Sequence, residues 1–271
     1  MSRILQSLYS RYVGTTHDGK LLAKGGFVSG DNGKQIAHPS PKTASLFDDF
    51  TGVALNTFKW NVVETDTDAT ETVLAGGIGG VLRVVTGNDD GNAVVLPDAA
   101  GVTGALQWQA SNGGLCFETR VKLSRITLAY MFLGFTDLIT IEAPVIASQT
   151  ADGITTNATD AVGFMFDTGS ASDTLFLVGV KNNTDATTQV LTEAPVADEY
   201  ATYRIEVSTA GVATFYLNGV QVGTSMSSAL TAATDLTPVV LFSNTDGTSA
   251  INADVDYIHV SMNRGADGDA F

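Results

Sequence analysis

From Leu46 onward, apolar and polar side chains largely alternate in short runs. Leu115-Cys116-Phe117-Glu118-Thr119-Arg120-Val121-Lys122-Leu123, Tyr203-Arg204-Ile205-Glu206-Val207 and Val255-Asp256-Tyr257-Ile258-His259-Val260 are three of them. A period of two sends alternate side chains to opposite faces of a strand, so these runs predict half-buried antiparallel strands. Turn-forming clusters separate the runs: Asn88-Asp89-Asp90-Gly91, Asn112-Gly113-Gly114 and Lys181-Asn182-Asn183-Thr184. Asn218-Gly219 sits directly between Thr214-Phe215-Tyr216-Leu217 and Val220-Gln221-Val222 and predicts a tight hairpin. The apolar stretch Ala129-Tyr130-Met131-Phe132-Leu133-Gly134-Phe135 reads as a buried core strand rather than as a surface patch. About twelve strands around one core imply an all-β fold, a two-sheet antiparallel β-sandwich.

The first 45 residues follow other rules. Ile4, Leu5, Leu8 and Tyr12 recur at helical spacing and predict one short amphipathic helix, which must dock on something to be stable. Gly25-Gly26, Gly30-Asp31-Asn32-Gly33 and His38-Pro39-Ser40-Pro41 then break regular structure. The chain therefore divides into an N-terminal arm over 1–45, a sandwich over 46–264 and a short tail over 265–271.

Charge sharpens this division. Residues 1–45 carry six basic side chains (Arg3, Arg11, Lys20, Lys24, Lys34, Lys42) against two acids, a balance of +4. Residues 46–271 carry eight basic groups against 27 acids, a balance of −19. So acidic a body repels nucleic acid and anionic membrane, and neither is an expected partner. A composition 44% hydrophobic and 16% charged excludes disorder for most of the chain. The single cysteine, Cys116, excludes an intramolecular disulfide framework; between Leu115 and Phe117 it is expected to be a small buried hydrophobe. Residues 1–12 lack the apolar run of a secretory signal, and synthesis in a reducing compartment is expected.

A family resemblance begins at Phe47-Asp48-Asp49-Phe50-Thr51-Gly52 followed by Leu55-Asn56-Thr57-Phe58-Lys59-Trp60-Asn61. This string resembles the entry to concanavalin A-like jelly rolls, the superfamily of legume lectins, laminin G-like modules and family 16 glycoside hydrolases. It continues through residues 117–122, the hairpin over 203–219 and the closing run 255–260. The resemblance implies a jelly roll whose last strand lies near the first.

Family 16 hydrolases carry a mid-chain Glu-x-Asp-x-x-Glu strand that aims its carboxylates into the cleft, and this strand is missing here. The string from Glu64 to Glu71 has Ala69 where the second Glu should fall, and residues 161–167 hold one acid, Asp167. The three histidines (His17, His38, His259) are scattered, and no Gly-x-Ser-x-Gly elbow or P-loop occurs. On these grounds no enzymatic activity is expected. No cofactor is expected either; the acids that would hold a structural calcium are Asp48, Asp49, Asp254 and Asp256, if first and last strands are neighbours.

Two functional expectations follow. The leading one is a structural protein of a tailed-bacteriophage virion, a capsid decoration or head-fibre protein or a tail-associated module, made in the host cytoplasm. It would dock on the major capsid protein, or another virion protein, through Arg3, Ile4, Leu5, Leu8, Arg11, Tyr12, Lys20, Lys24, Phe27 and Lys34. A homotrimer on the particle is expected with it. The alternative is a lectin-like, carbohydrate-binding module for host-surface attachment, with Trp108 and Tyr130 as glycan platforms.

Overall fold

A computed structural model describes residues 43–264, apart from 58, 65–67, 76–78, 90, 98–106, 139–145, 149–153 and 246–248, together with two short strands within residues 27–37. The strands run in chain order β1 (Phe27–Ser29), β2 (Gln35–Ala37), β3 (Thr43–Asp48), β4 (Trp60–Glu64), β5 (Thr70–Val73), β6 (Leu82–Val85) and β7 (Gly91–Pro97). Next come β8 (Leu115–Leu123), β9 (Ala129–Thr136), β10 (Ile146–Ser148), β11 (Ile154–Thr156), β12 (Ala161–Asp167), β13 (Leu175–Lys181), β14 (Thr184–Asp185) and β15 (Gln189–Val190). The last five are β16 (Ala201–Val207), β17 (Ala213–Leu217), β18 (Val220–Met226), β19 (Thr237–Asn244) and β20 (Asn252–Asn263).

Two antiparallel sheets of eight strands form the body. Sheet I has the order β14-β13-β12-β9-β19-β7-β4, with β15 also on β13. Sheet II has the order β18-β17-β16-β8-β20-β6-β5, with β3 also on β20. The twelve-residue β20 is long enough to pair with β6 through its first residues and with β3 through its last, while β8 runs along its other edge. First and last strands of the body are thus neighbours. Because β3 begins at Thr43, the arm drawn at 1–45 from sequence includes the first three residues of a sheet II strand.

The inward residues of both sheets form one core. β8 alternates between buried and half-buried along its whole length and contributes Leu115, Phe117, Val121 and Leu123. β9 contributes Met131, Leu133 and Phe135 from the facing sheet, and the Phe117 and Phe135 rings meet edge-on at 5.8 Å. Asn218 (φ 52°) and Gly219 (φ 79°) both adopt the left-handed conformation, the combination a two-residue turn needs to match strand twist. The expected hairpin is therefore β17–β18.

The entry string has a physical role. The Asp48 carboxylate accepts hydrogen bonds from the Phe50 amide at 2.9 Å and from the Trp60 indole at 2.7 Å, and it pairs with Lys59 at 3.0 Å. Burial alone would raise this carboxyl, yet these donors hold it below its ordinary value. Since β3 belongs to sheet II and β4 to sheet I, one aspartate ties the edges of the two layers together.

Candidate functional site

The two outer faces of the sandwich differ in chemistry. Sheet I carries a second apolar cluster outside the main core, built on Tyr130, Phe132, Met165, Phe176, Val178, Val239 and Leu241, and Ile154 and Ala158 from the intervening segment pack on it. Every residue of β9 and β12 is buried, so this face is closed. Sheet II is open. Its outward positions are the polar members of the alternating strands, and four of the eight basic residues of the body (Arg83, Arg120, Lys122 and Arg204) lie on them.

Strand register aligns one set of these side chains across the sheet. Phe47 on β3 stands opposite His259 on β20, which stands opposite Glu118 on β8. Glu118 faces Arg204 on β16, Arg204 faces Tyr216 on β17, and Tyr216 faces Gln221 on β18. Six strands therefore deliver a transverse row of aromatic, carboxylate, guanidinium and amide groups. Phe47 is 55% exposed, unusual for a phenylalanine, and its ring lies 6.1 Å from that of Tyr257 and 6.2 Å from His259.

Hydrogen bonds fix the middle of the row. Tyr257 donates its hydroxyl to Glu118 at 2.7 Å, Tyr216 donates to Glu206 at 3.2 Å, and Arg204 pairs with Glu206 while its guanidinium lies 5.4 Å from the Tyr216 ring centre. Two adjoining shallow depressions, of about 520 and 800 Å³, share Glu118, Arg204 and Glu206 in their walls. Burial pushes the Tyr257 hydroxyl well above its ordinary range, and its acceptor Glu118 adds to the shift, so it stays a proton donor. Burial likewise lowers His259, with Arg204 acting in the same sense and Glu118 against it; the imidazole is neutral near pH 7.

Ion pairs close the flank of the row. Asp254 is 2% exposed and binds Arg83 through both oxygens, at 2.7 and 2.9 Å, and Lys122 at 3.0 Å. Arg120 pairs with Asp256 at 2.6 Å and stacks 4.2 Å from the centre of the Tyr200 ring.

The residues singled out from sequence fall elsewhere. Trp108 is 7% exposed, held in the main core by a bridge to Leu236, and Tyr130 is 2% exposed on the closed face of sheet I. Neither offers a ring to a glycan, because packing covers both, which residue type alone does not reveal. Nor are the four acids proposed for calcium gathered together. Asp48 binds Trp60 and Lys59, Asp49 accepts from the Thr51 hydroxyl, and Asp254 and Asp256 are matched by Arg83, Lys122 and Arg120. Among the described residues, no three His, Cys, Asp or Glu side chains are placed to share a metal ion. Cys116 is half-buried on the outer face of sheet II rather than in the core, since it alternates with the inward Leu115 and Phe117 on either side. Burial raises its thiol pKa. Arg3, Ile4, Leu5, Leu8, Arg11, Tyr12, Lys20, Lys24 and Lys34 lie outside the described residues, and Phe27 opens β1, of which only the backbone is described.

No family model matches this chain, and no curated protein does. Solved structures do. A Bacillus licheniformis β-glucanase is similar at a TM-score of 0.53 and 12% identity, over 80% of this chain and 97% of that one. A family 16 endo-glucanase from Bacteroides ovatus matches at 0.50 and 14% identity, over 79% and 99%. The carbohydrate recognition domain of Emp47p matches at 0.54 and 12% identity, over 84% and 99%. At such identities the likeness is one of fold, and the fold is the concanavalin A-like jelly roll. The expectation that the chain is not an enzyme is corrected by the same finding. Glycoside hydrolases share this architecture, and the missing Glu-x-Asp-x-x-Glu strand removes one catalytic arrangement of the fold, not catalysis as such.

Proposed function

We propose that this protein binds glycan on the open face of sheet II. The transverse row from Phe47 to Gln221 carries the proposal. A sugar ring offers an apolar C–H face that packs on aromatic rings and a rim of hydroxyls that pair with planar carboxylate, guanidinium and amide groups. Tyr216 and Phe47 supply the rings; Glu118, Arg204, Glu206 and Gln221 supply the planar groups. Similarity in fold to a carbohydrate recognition domain and to two glucanases supports the reading.

The test is a glycan array probed with the full-length chain, followed by calorimetry on the best ligand and a reducing-sugar assay that reads any cleavage. Wild type should bind, and Arg204→Ala should abolish binding with the circular dichroism spectrum unchanged. Binding left intact in Arg204→Ala refutes the site.

The charge split supports a second reading for residues 1–45. A basic, apolar-containing arm attached to a body at −19 suits docking on an acidic assembly such as a virion shell, where threefold sites would gather three copies. Deleting residues 1–42 should leave the body folded and remove attachment to the particle. A truncated body that still attaches at full affinity refutes docking through the arm.

A further inference from the structure

We infer that the sheet II face recognises an internal stretch of an uncharged oligosaccharide chain laid across the strands, rather than a terminal sugar or an acidic glycan. This inference rests on the glycan-binding reading above and adds the length and charge of the ligand. Length follows from register. Phe47 on β3 and Tyr216 on β17 stand in the same row, four strand spacings apart, with Gln221 one strand beyond Tyr216. At the usual separation of neighbouring strands this is about 19 Å. One sugar ring cannot touch both aromatics, whereas a chain running perpendicular to the strands meets Phe47, His259, Glu118, Arg204 and Tyr216 in turn.

Charge follows from the pairing of the face. Arg204 is matched by Glu206, Arg120 by Asp256, and Arg83 with Lys122 by Asp254. His259 is held neutral by its burial. Among the described residues of this face, every basic side chain on its strands is thus matched by a carboxylate, and the body at −19 repels a polyanion before contact. What the face still offers is flat apolar area at Phe47 and Tyr216 and hydrogen-bonding groups between them, a match for hydroxyl-rich, uncharged units.

Full-length protein is titrated with neutral gluco-oligosaccharides and N-acetylglucosamine oligosaccharides from monosaccharide to hexasaccharide, and with polygalacturonate as the acidic probe. Affinity should rise with chain length until both aromatics are spanned and then level off, with little change between low and high salt. Phe47→Ala and Tyr216→Ala should each weaken the longer ligands about tenfold and leave the shortest nearly unaffected. A monosaccharide bound as tightly as the hexasaccharide overturns the inference while leaving glycan binding intact. Tighter binding of polygalacturonate than of any neutral chain does the same. If no glycan binds, the functional reading itself falls. Self-association lost in Tyr216→Ala, measured by sedimentation, would instead assign the face to a second copy of this chain.

Discussion

Asp254 offers the sharpest test of how the sheet II face is held. Its carboxylate is 2% exposed and lies between Arg83 on β6 and Lys122 on β8, so one side chain on β20 joins three adjacent strands. Asp254→Ala leaves two cations side by side without their counterion. Breaking a buried pair by removing one partner typically costs about 3–5 kcal/mol. Here the surviving Arg83 and Lys122 side chains keep 35% and 24% of their exposure, and water recovers part of that cost. The expected loss is about 2–3 kcal/mol, read as a fall in the urea midpoint at unchanged slope and a drop of about 5–10 °C in Tm. Sign and pH range follow from the carboxyl itself. Burial alone would raise it, but Arg83 and Lys122 hold it below its ordinary value of 3.8. Its stabilising contribution is therefore present above that value and is lost as pH falls through the lower folded-state value. The gap between wild type and Asp254→Ala should close on acidification. Replacing all three residues with apolar ones of similar size should recover most of the loss. A loss at neutral pH below about 0.5 kcal/mol, the range of ordinary surface substitutions, would refute the reasoning.

Other outcomes are equally open to measurement. Glu64, at the exposed end of β4, is pushed up to about 7 by partial loss of solvent and by the neighbouring Glu71 carboxyl, so the folded state holds a proton that the unfolded state releases near 4.5. Stability should decline as pH rises from 4.5 to about 7, and Glu64→Gln should flatten that limb of the urea profile; an unchanged limb refutes the assignment. Gly134 lies so close to the neighbouring strand that a Cβ would come within 2.1 Å of the Val162 carbonyl oxygen, a backbone atom that cannot swing aside. Gly134→Ala should cost about 1–3 kcal/mol or more in chemical denaturation, and a neutral result would mean that β9 and β12 are spaced more widely. Asp48→Asn should weaken the indole bond between the layers and shift Trp60 fluorescence, with the acid unfolding midpoint moved because the low-pKa carboxyl is gone.

The sequence by itself determined the local features, because strand periodicity and turn chemistry are local. Alternation in residues 115–123, 203–207 and 255–260 named strands that exist as β8, β16 and β20, and Asn218-Gly219 specified its hairpin because both residues tolerate positive φ. The same alternation already marked Glu118, Arg204, Glu206 and His259 as outward, and Cys116 with them, although the flanking Leu115 and Phe117 suggested burial. Only the tertiary structure decided which strands became neighbours. β8 lies between β16 and β20, more than 75 residues further along the chain, and no local pattern encodes that pairing. The register of those pairings turned separate polar positions into one row. Tertiary packing also decided which outer face stayed open. A second apolar layer closed sheet I over Tyr130, and the bridge to Leu236 drew Trp108 into the core. Aromatic residues therefore mark a binding surface only when packing leaves them exposed, as it does for Phe47 on the edge strand β3.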